Sequence, residues 1–184
     1  MSTLEVNTIK PISGSSTVTL GESGDTIALA SGASQTLAVM TPAFFAYGSG
    51  SNQTIPDQTG TKVTVFNTEL FDSHNFFSSN RFTPTIAGKY FCYANLYWDT
   101  TSANDLHNGA VQLRKNGSNY TTIENNLNSH GSAMAAHVGA VIDFNGSSDY
   151  AEIYCYQNTA SGNSCTVYAS QQLSNFGAYK VIGV

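Results

Sequence analysis

Charge is scarce in this chain. Asp, Glu, Lys and Arg supply 10% of its 184 residues, against about 25% in an ordinary soluble protein. The net charge is -5, from 7 Lys+Arg against 12 Asp+Glu, and no four basic residues follow one another. A nucleic-acid binder neutralises phosphates with a basic patch, so that class is excluded. Ser, Thr, Asn and Gly take the place of charge. Such a surface hydrogen-bonds without ions, as shells and fibres in salty or extracellular settings do. Long apolar runs are also missing. Nothing approaches ~18 consecutive apolar residues, so no membrane insertion is expected. No basic segment followed by an apolar run opens the chain, so no export leader is expected. A protein suited to the outside of something but lacking such a leader implies release by lysis.

The signs of catalysis and of metal binding are missing in the same way. There is no Gly-x-Ser-x-Gly elbow, phosphate loop or dinucleotide fingerprint, so the chain is expected not to be an enzyme and to need no cofactor. The 3 Cys have no zinc spacing. Cys92 and Cys155 sit in aromatic strand runs, YFCYA and YCYQ, and read as buried thiols filling small apolar spaces. The alternative is a Cys155–Cys165 bridge across a hairpin, which geometry rather than sequence decides. The 4 His are scattered and form no metal pair. His137, in an apolar strand, reads as a satisfied core or axial histidine. If copies met on a threefold axis, protonation below about pH 6.5 would loosen the assembly. The acidic residues do not cluster into the facing carboxylates that glycosidase chemistry needs.

Aromatics are present, but only in part of the chain. Residues 1–40 contain none. Residues 41–184 hold all 10 Phe, all 10 Tyr and the 1 Trp. Bulky rings build cores, so the core domain is residues 41–184, with Pro42 at the junction. Residues 1–40 carry a loose repeat of β-prone runs, TVTL at 17–20, TIAL at 26–29 and TLAV at 36–39, separated by turn-forming GESGD and ASGASQ. One such segment cannot bury its apolar edge alone. Three copies wound about an axis can, so the segment reads as an intertwined stalk or attachment arm, with a loose tail as the alternative.

The central stretch is Arg81 to Trp98, RFTPTIAGKYFCYANLYW. Side chains alternate along a strand, so Tyr90, Cys92 and Ala94 share one face and Phe91, Tyr93 and Asn95 the other. A lone antiparallel sheet solvates one face, yet here both faces carry rings. Apolar neighbours are therefore expected on both sides: a sandwich that also trimerises. The same residues carry a resemblance. Phe82, five residues, then Gly88-Lys89-Tyr90 resembles the central signature of complement 1q / tumour-necrosis-factor-like jelly rolls. The stretch from Pro42 to Pro84 is similar to the first strands of those heads. The final SNFGAYKVIGV, with Phe176, Gly177 and Tyr179, is similar to the closing strand. Cys92 and Ala94 depart from the aromatics that usually follow Gly-x-Tyr. The resemblance implies an all-β, homotrimeric jelly roll. The opening TLEVNTIKPISG also resembles the start of tail-fibre-like and other virion proteins of marine cyanobacterial phages.

Residue patterning independently reads as strand after strand: AFFAY, KVTVF, GKYFCYANLYW, GAVQLRKN, NYTTIE, DYAEIYCYQN, SCTVYAS and FGAYKVIG. This density of short strands is that of a β-sandwich of jelly-roll type. The alanines of HGSAMAAHVGAVIDF, residues 130–144, admit a helix, but its glycines favour a long strand. KNGS at 115–118 predicts a hairpin turn, and NGSSD at 145–149 another turn.

Recognition is expected in the loop WDTTSANDLHNG. Trp98 beside Asp99, Asn104, Asp105 and His107 offers a ring to stack on a sugar and polar groups to bond its hydroxyls. The competing reading of Trp98 is a cap on the core. Some complement 1q-like heads hold calcium through loop oxygens, and that resemblance makes Asp99, Asn104 and Asp105 candidate ligands; short polar residues that merely make turns are the alternative. Phe82, Tyr90, Cys92, Tyr154, Phe176 and Tyr179 are expected in the core or the intersubunit seam. Together these readings give a virion structural protein. It is expected to be a homotrimeric tail fibre or adhesin that touches a host-surface glycan or protein through the head and other virion proteins through the N-terminal segment. A capsid decoration or head fibre is the alternative.

Overall fold

The computed structural model describes residues 41–181, and all regular structure in them is β-strand. The stalk expected in residues 1–40 lies outside the described residues. Strand β7 (Gly88–Thr100) organises a seven-stranded antiparallel sheet. One of its edges pairs along nearly its whole length with β10 (Ala133–Phe144), from Gly88↔Phe144 to Asp99↔Ala133. The other edge is shared. β13 (Asn175–Lys180) takes Tyr90 to Asn95, and β12 (Cys165–Val167) takes Trp98 to Thr100. Outward from β13 lie β1 (Ala43–Gly48) and β4 (Phe66–Asp72), and outward from β12 lies β2 (Gln53–Ile55).

The second sheet has six strands. β11 (Ala151–Thr159) pairs with β8 (Leu106–Lys115), which pairs with β9 (Ser118–Gly131). The other side of β11 is covered by short β3 (Thr61–Lys62) and by β6 (Arg81–Phe82), which pairs with β5 (Phe77–Ser78). Both sheets turn one face inward, and strand alternation decides what goes there. In β7 this is Tyr90, Cys92, Ala94, Leu96 and Trp98; in β11 it is Ile153, Cys155 and Gln157.

Rings fill one end of the core. Phe44 stacks on Phe77 and Phe82, with centroids 4.7 and 4.8 Å away, and meets Phe176 edge-on at 5.0 Å. Phe82, Tyr90 and Phe144 pack mutually at 5.4 to 5.6 Å. Such offset and edge contacts are the arrangements that ring quadrupoles favour. The Phe82…Gly88-x-Tyr90 signature is explained here. Phe82 anchors the cluster. Gly88 has φ of +135°, and a Cβ on it would lie 2.8 Å from Lys180 Cε. Tyr90 points inward and donates its hydroxyl back to Ile86 O at 2.8 Å, fastening the turn that starts the strand. Burial raises the Tyr90 phenol to about 12.

The structure also decides what the sequence left open. Residues 133–144 are strand throughout. Asn116 and Gly117 both have positive φ, 52° and 79°, as a primed two-residue hairpin requires. In the 145–149 turn, Asn145 Oδ1 accepts from the backbone N–H groups of Ser147, Ser148 and Asp149. KVTVF is not one strand. Lys62 pairs with β11 in one sheet and Phe66 with β1 in the other, so Val63 and Val65 are buried in a crossover between sheets. All three cysteines are buried free thiols, with no Cys155–Cys165 bridge. Burial pushes the Cys92 and Cys155 thiols up, and Cys165 up to about 12. They fill space and are not poised to react.

Candidate functional site

Two surfaces stand out, one on each sheet. The first is the outward face of the seven-stranded sheet. The register aligns its side chains in rows: Tyr179, Phe91 and Val141; then Phe71, Phe45, Tyr93 and Gly139 around Gly177; then Tyr47, Asn175, Asn95 and His137. Glycines let the rings lie flat. A Cβ on Gly177 would sit 2.6 Å from Tyr93 Cζ, and one on Gly139 would sit 3.0 Å from Phe91 Cζ. Phe91 packs against Tyr93 at 5.9 Å and Tyr179 at 5.6 Å. Phe71, Tyr179 and Val141 are 49%, 47% and 46% exposed. Beside the rings runs a polar ladder. His137 Nδ1 bonds Asn95 Oδ1 at 2.9 Å, and Asn95 Nδ2 donates to Asn175 Oδ1 at 2.8 Å. Because a carbonyl oxygen only accepts, Nδ1 of His137 carries the proton. His137 is therefore an outward-facing residue and not a core one, and with Tyr97 and Gln172 it borders a shallow cavity of about 400 Å³.

The second surface is a polar cleft of about 520 Å³ on the six-stranded sheet, lined by His107, Asn108, Asn126, Leu127, Asn128 and Asn158. Its floor is a row of three asparagines on adjacent strands, since Asn108 of β8 lies opposite both Asn158 of β11 and Asn126 of β9. Its wall is a bulge. Asn108 pairs with Asn126, but Leu106, two residues back, pairs with Gly131, five residues on. Bulges at sheet edges re-aim side chains in this way. Leu127 folds back over Gly131, whose missing Cβ would lie 2.8 Å from Leu127 Cδ1. His107 is held edge-to-face against His130 at 4.5 Å.

The residues expected to recognise a ligand are not brought together. Trp98 is 0% exposed, at the core end opposite the phenylalanines, and its ring packs where a Cβ on Gly109 would clash at 2.6 Å. It caps the core and cannot stack on a sugar. Asp105 is buried and serves as a loop pin. Its carboxylate accepts from Ser161 N at 2.9 Å and Asn163 Nδ2 at 3.1 Å. The bonds to Ser161 and Asn163 hold it below the usual carboxylate range. Asp99 accepts from the Tyr168 hydroxyl at 2.9 Å. Both carboxylates of the candidate calcium set Asp99, Asn104 and Asp105 thus accept from separate protein donors, and no cluster of three or more His, Cys, Asp or Glu that could hold a metal ion occurs among the described residues. Asn104 is exposed, with positive φ. His107 borders the polar cleft. The asparagine row went unseen because cross-strand register, which the sequence does not display, creates it.

Of the six residues expected in core or seam, Phe82, Tyr90, Cys92 and Phe176 are in the core and Tyr179 is on the aromatic outward face. Tyr154 is outside the core. Ile153 and Cys155 occupy the inward positions of β11, so Tyr154 faces out on the six-stranded sheet, with Arg114 stacked 3.7 Å above its ring.

No family model and no curated protein matches the chain. Solved structures do. Murine APRIL at pH 5.0 superposes with a TM-score of 0.55 at 9% identity, over 77% of this chain and 99% of that one. Eiger TNF from S. frugiperda superposes with a TM-score of 0.56 at 10% identity, over 78% of this chain and 94% of that one. At such identities the likeness concerns the fold: the described part of this chain is a TNF-like jelly-roll β-sandwich.

Proposed function

We propose that the chain is a homotrimeric, non-enzymatic binding head, carried on a phage virion as a tail fibre or adhesin. The observation that carries the trimer is the aromatic outward face of the seven-stranded sheet. Phe45, Tyr47, Phe71, Phe91, Tyr93, Val141 and Tyr179 form one continuous outward patch, in which Phe71, Val141 and Tyr179 are about half exposed and the other four partly buried. Soluble proteins rarely leave so large an apolar patch wet, and copies of the same face closing around an axis bury it. The TNF-like fold supports that arrangement. Binding as the activity is supported by the amide-lined cleft on the opposite sheet, which in a trimer faces away from the seam and is presented three times. Weak contacts repeated three times act together through effective concentration. The virion setting rests on the opening TLEVNTIKPISG and on the low-charge, hydroxyl- and amide-rich composition.

Sedimentation equilibrium of the purified full chain tests the trimer. A single species at three times the protomer mass is expected, and a stable, well-ordered monomer overturns the reading. A map of the intact particle tests the setting. Density at the tail with loops pointing outward supports the adhesin, whereas a copy number tied to capsid positions assigns the chain to decoration.

A further inference from the structure

We infer that the asparagine-lined cleft of the six-stranded sheet is a binding site for an uncharged oligosaccharide. This inference deepens the reading of the chain as a binding head and rests on it for its biological sense. Three features of the cleft carry it. The first is the aligned row Asn158, Asn108 and Asn126, which sets three primary amides side by side across adjacent strands. A primary amide offers two donors and an acceptor, which matches a sugar hydroxyl that donates once and accepts twice. The second is an unmet acceptor. Asn108 Nδ2 donates to Glu124 Oε1 at 3.1 Å, while its buried Oδ1 receives no bond from any group among the described residues. A buried acceptor left unsatisfied costs stability, and a turn of the Asn108 amide toward the cleft would let a ligand hydroxyl supply the missing donor. The third is the charge of the lining. No Lys, Arg, Asp or Glu lines the cleft, and the Glu124 carboxylate on β9 already accepts from Asn108. Phosphate, sulfate or uronate groups would find no Lys or Arg there, and His107 is the one lining residue able to carry a positive charge. A peptide would find one apolar side chain, Leu127, too little for an anchor. The volume of about 520 Å³ falls within the range of small-ligand sites.

The test is NMR on the isotope-labelled full chain, following the side-chain NH2 signals of Asn108, Asn126 and Asn158. Maltotetraose, mannotetraose and chitotetraose are titrated to millimolar concentration, with tetragalacturonate as the anionic counterpart. At least one neutral oligosaccharide should shift these three amides saturably, and tetragalacturonate should not. Asn126→Ala and His107→Ala change exposed positions and should each weaken the titration about fivefold, the effect of one neutral hydrogen bond, with other backbone signals unmoved. The inference is overturned if all three neutral sugars leave the amides unmoved, if only tetragalacturonate binds, or if the variants titrate like the parent. Sedimentation of the same samples separates the two claims. A trimer with silent amides sinks the sugar site and leaves the head standing; a monomer with responding amides does the reverse.

Discussion

The two sheets of this sandwich share a core but turn very different faces outward. On the seven-stranded sheet the outward positions of β1, β7 and β13 are Phe45, Tyr47, Phe91, Tyr93 and Tyr179. On the six-stranded sheet many of the equivalent positions carry charged side chains held in pairs, although Tyr120 and Ile123 of β9 are exposed. Glu152, buried, bonds both Lys62 at 3.2 Å and Arg81 at 3.1 Å. Arg81 and Arg114 stack over Tyr150 and Tyr154, each at 3.7 Å. Asp149 pairs with Lys115 at 2.8 Å. Strand alternation treats both sheets alike, so the difference lies in composition: charged and ring pairs hold much of one outward face, while aromatic rings dominate the other. Each half-exposed ring covered at a seam contributes on the order of 1 kcal/mol from apolar area alone. Phe71 and Tyr179 are such rings, and the partly buried Phe45, Tyr47, Phe91 and Tyr93 would each add less.

The difference can be broken most sharply at the aromatic face. Replacing Phe91 and Tyr179 together by Asp puts two charges into the seam in place of rings 5.6 Å apart. Association should weaken at least a thousandfold, leaving monomers at micromolar concentration in the ultracentrifuge, with the far-ultraviolet circular dichroism unchanged. A trimer surviving this change would place the seam elsewhere.

On the other sheet the effect should reverse. Glu152→Ala strands Lys62 and Arg81 against a buried site and should cost about 2 kcal/mol in urea unfolding. That is less than for a fully buried pair, because both cations reach solvent. The sedimentation behaviour should not change. Gly177→Ala is a finer probe. Its Cβ forces the Tyr93 ring off the sheet, so trimer dissociation should shift to lower temperature or concentration while protomer stability changes by less than about 1 kcal/mol. Equal losses in both would mean that Tyr93 matters only to the protomer.

The smallest effect concerns acid. The hydrogen bond from Lys115, then that from Asn116, lowers the Asp149 carboxyl to about 2. A folded pKa below the unfolded one means that Asp149 contributes stability at pH above about 4. That contribution is lost as pH falls toward 2. Calorimetry should show Asp149→Asn with a lower melting temperature than the parent at pH 6 and a smaller gap at pH 2.5. The trimer should be indifferent to this change at pH 6. A gap that widens with acid would contradict the pairing.

Much of the fold was legible because strands advertise themselves locally. The alternation in GKYFCYANLYW, the Asn-Gly turn at 116–117 and the Phe82…Gly88-x-Tyr90 signature each act through neighbouring residues. Even the aromatic outward face could be read from β7 alone, since rings at consecutive positions must point both ways. The misreadings share one cause. KVTVF looked like a strand, but the chain uses its two buried valines to cross between sheets. Trp98 admitted both a sugar platform and a core cap, and Asp105 looked like a surface residue because the loop around it is polar. In fact Trp98 takes an inward position of β7, and Asp105 is consumed by Ser161 and Asn163, more than fifty residues away. Tyr154 was placed by composition when parity along β11 decides its side.

The order of residues determined that this chain would be all strand, where its turns would fall and that its rings would outnumber the places in one core. Those properties depend on neighbours one to four positions apart. Which polar residues would meet was decided by tertiary structure alone. Asn108, Asn126 and Asn158 become a row, and Asp105 becomes a pin, only when antiparallel register sets distant segments side by side. No local pattern encodes the partner of a residue across a sheet.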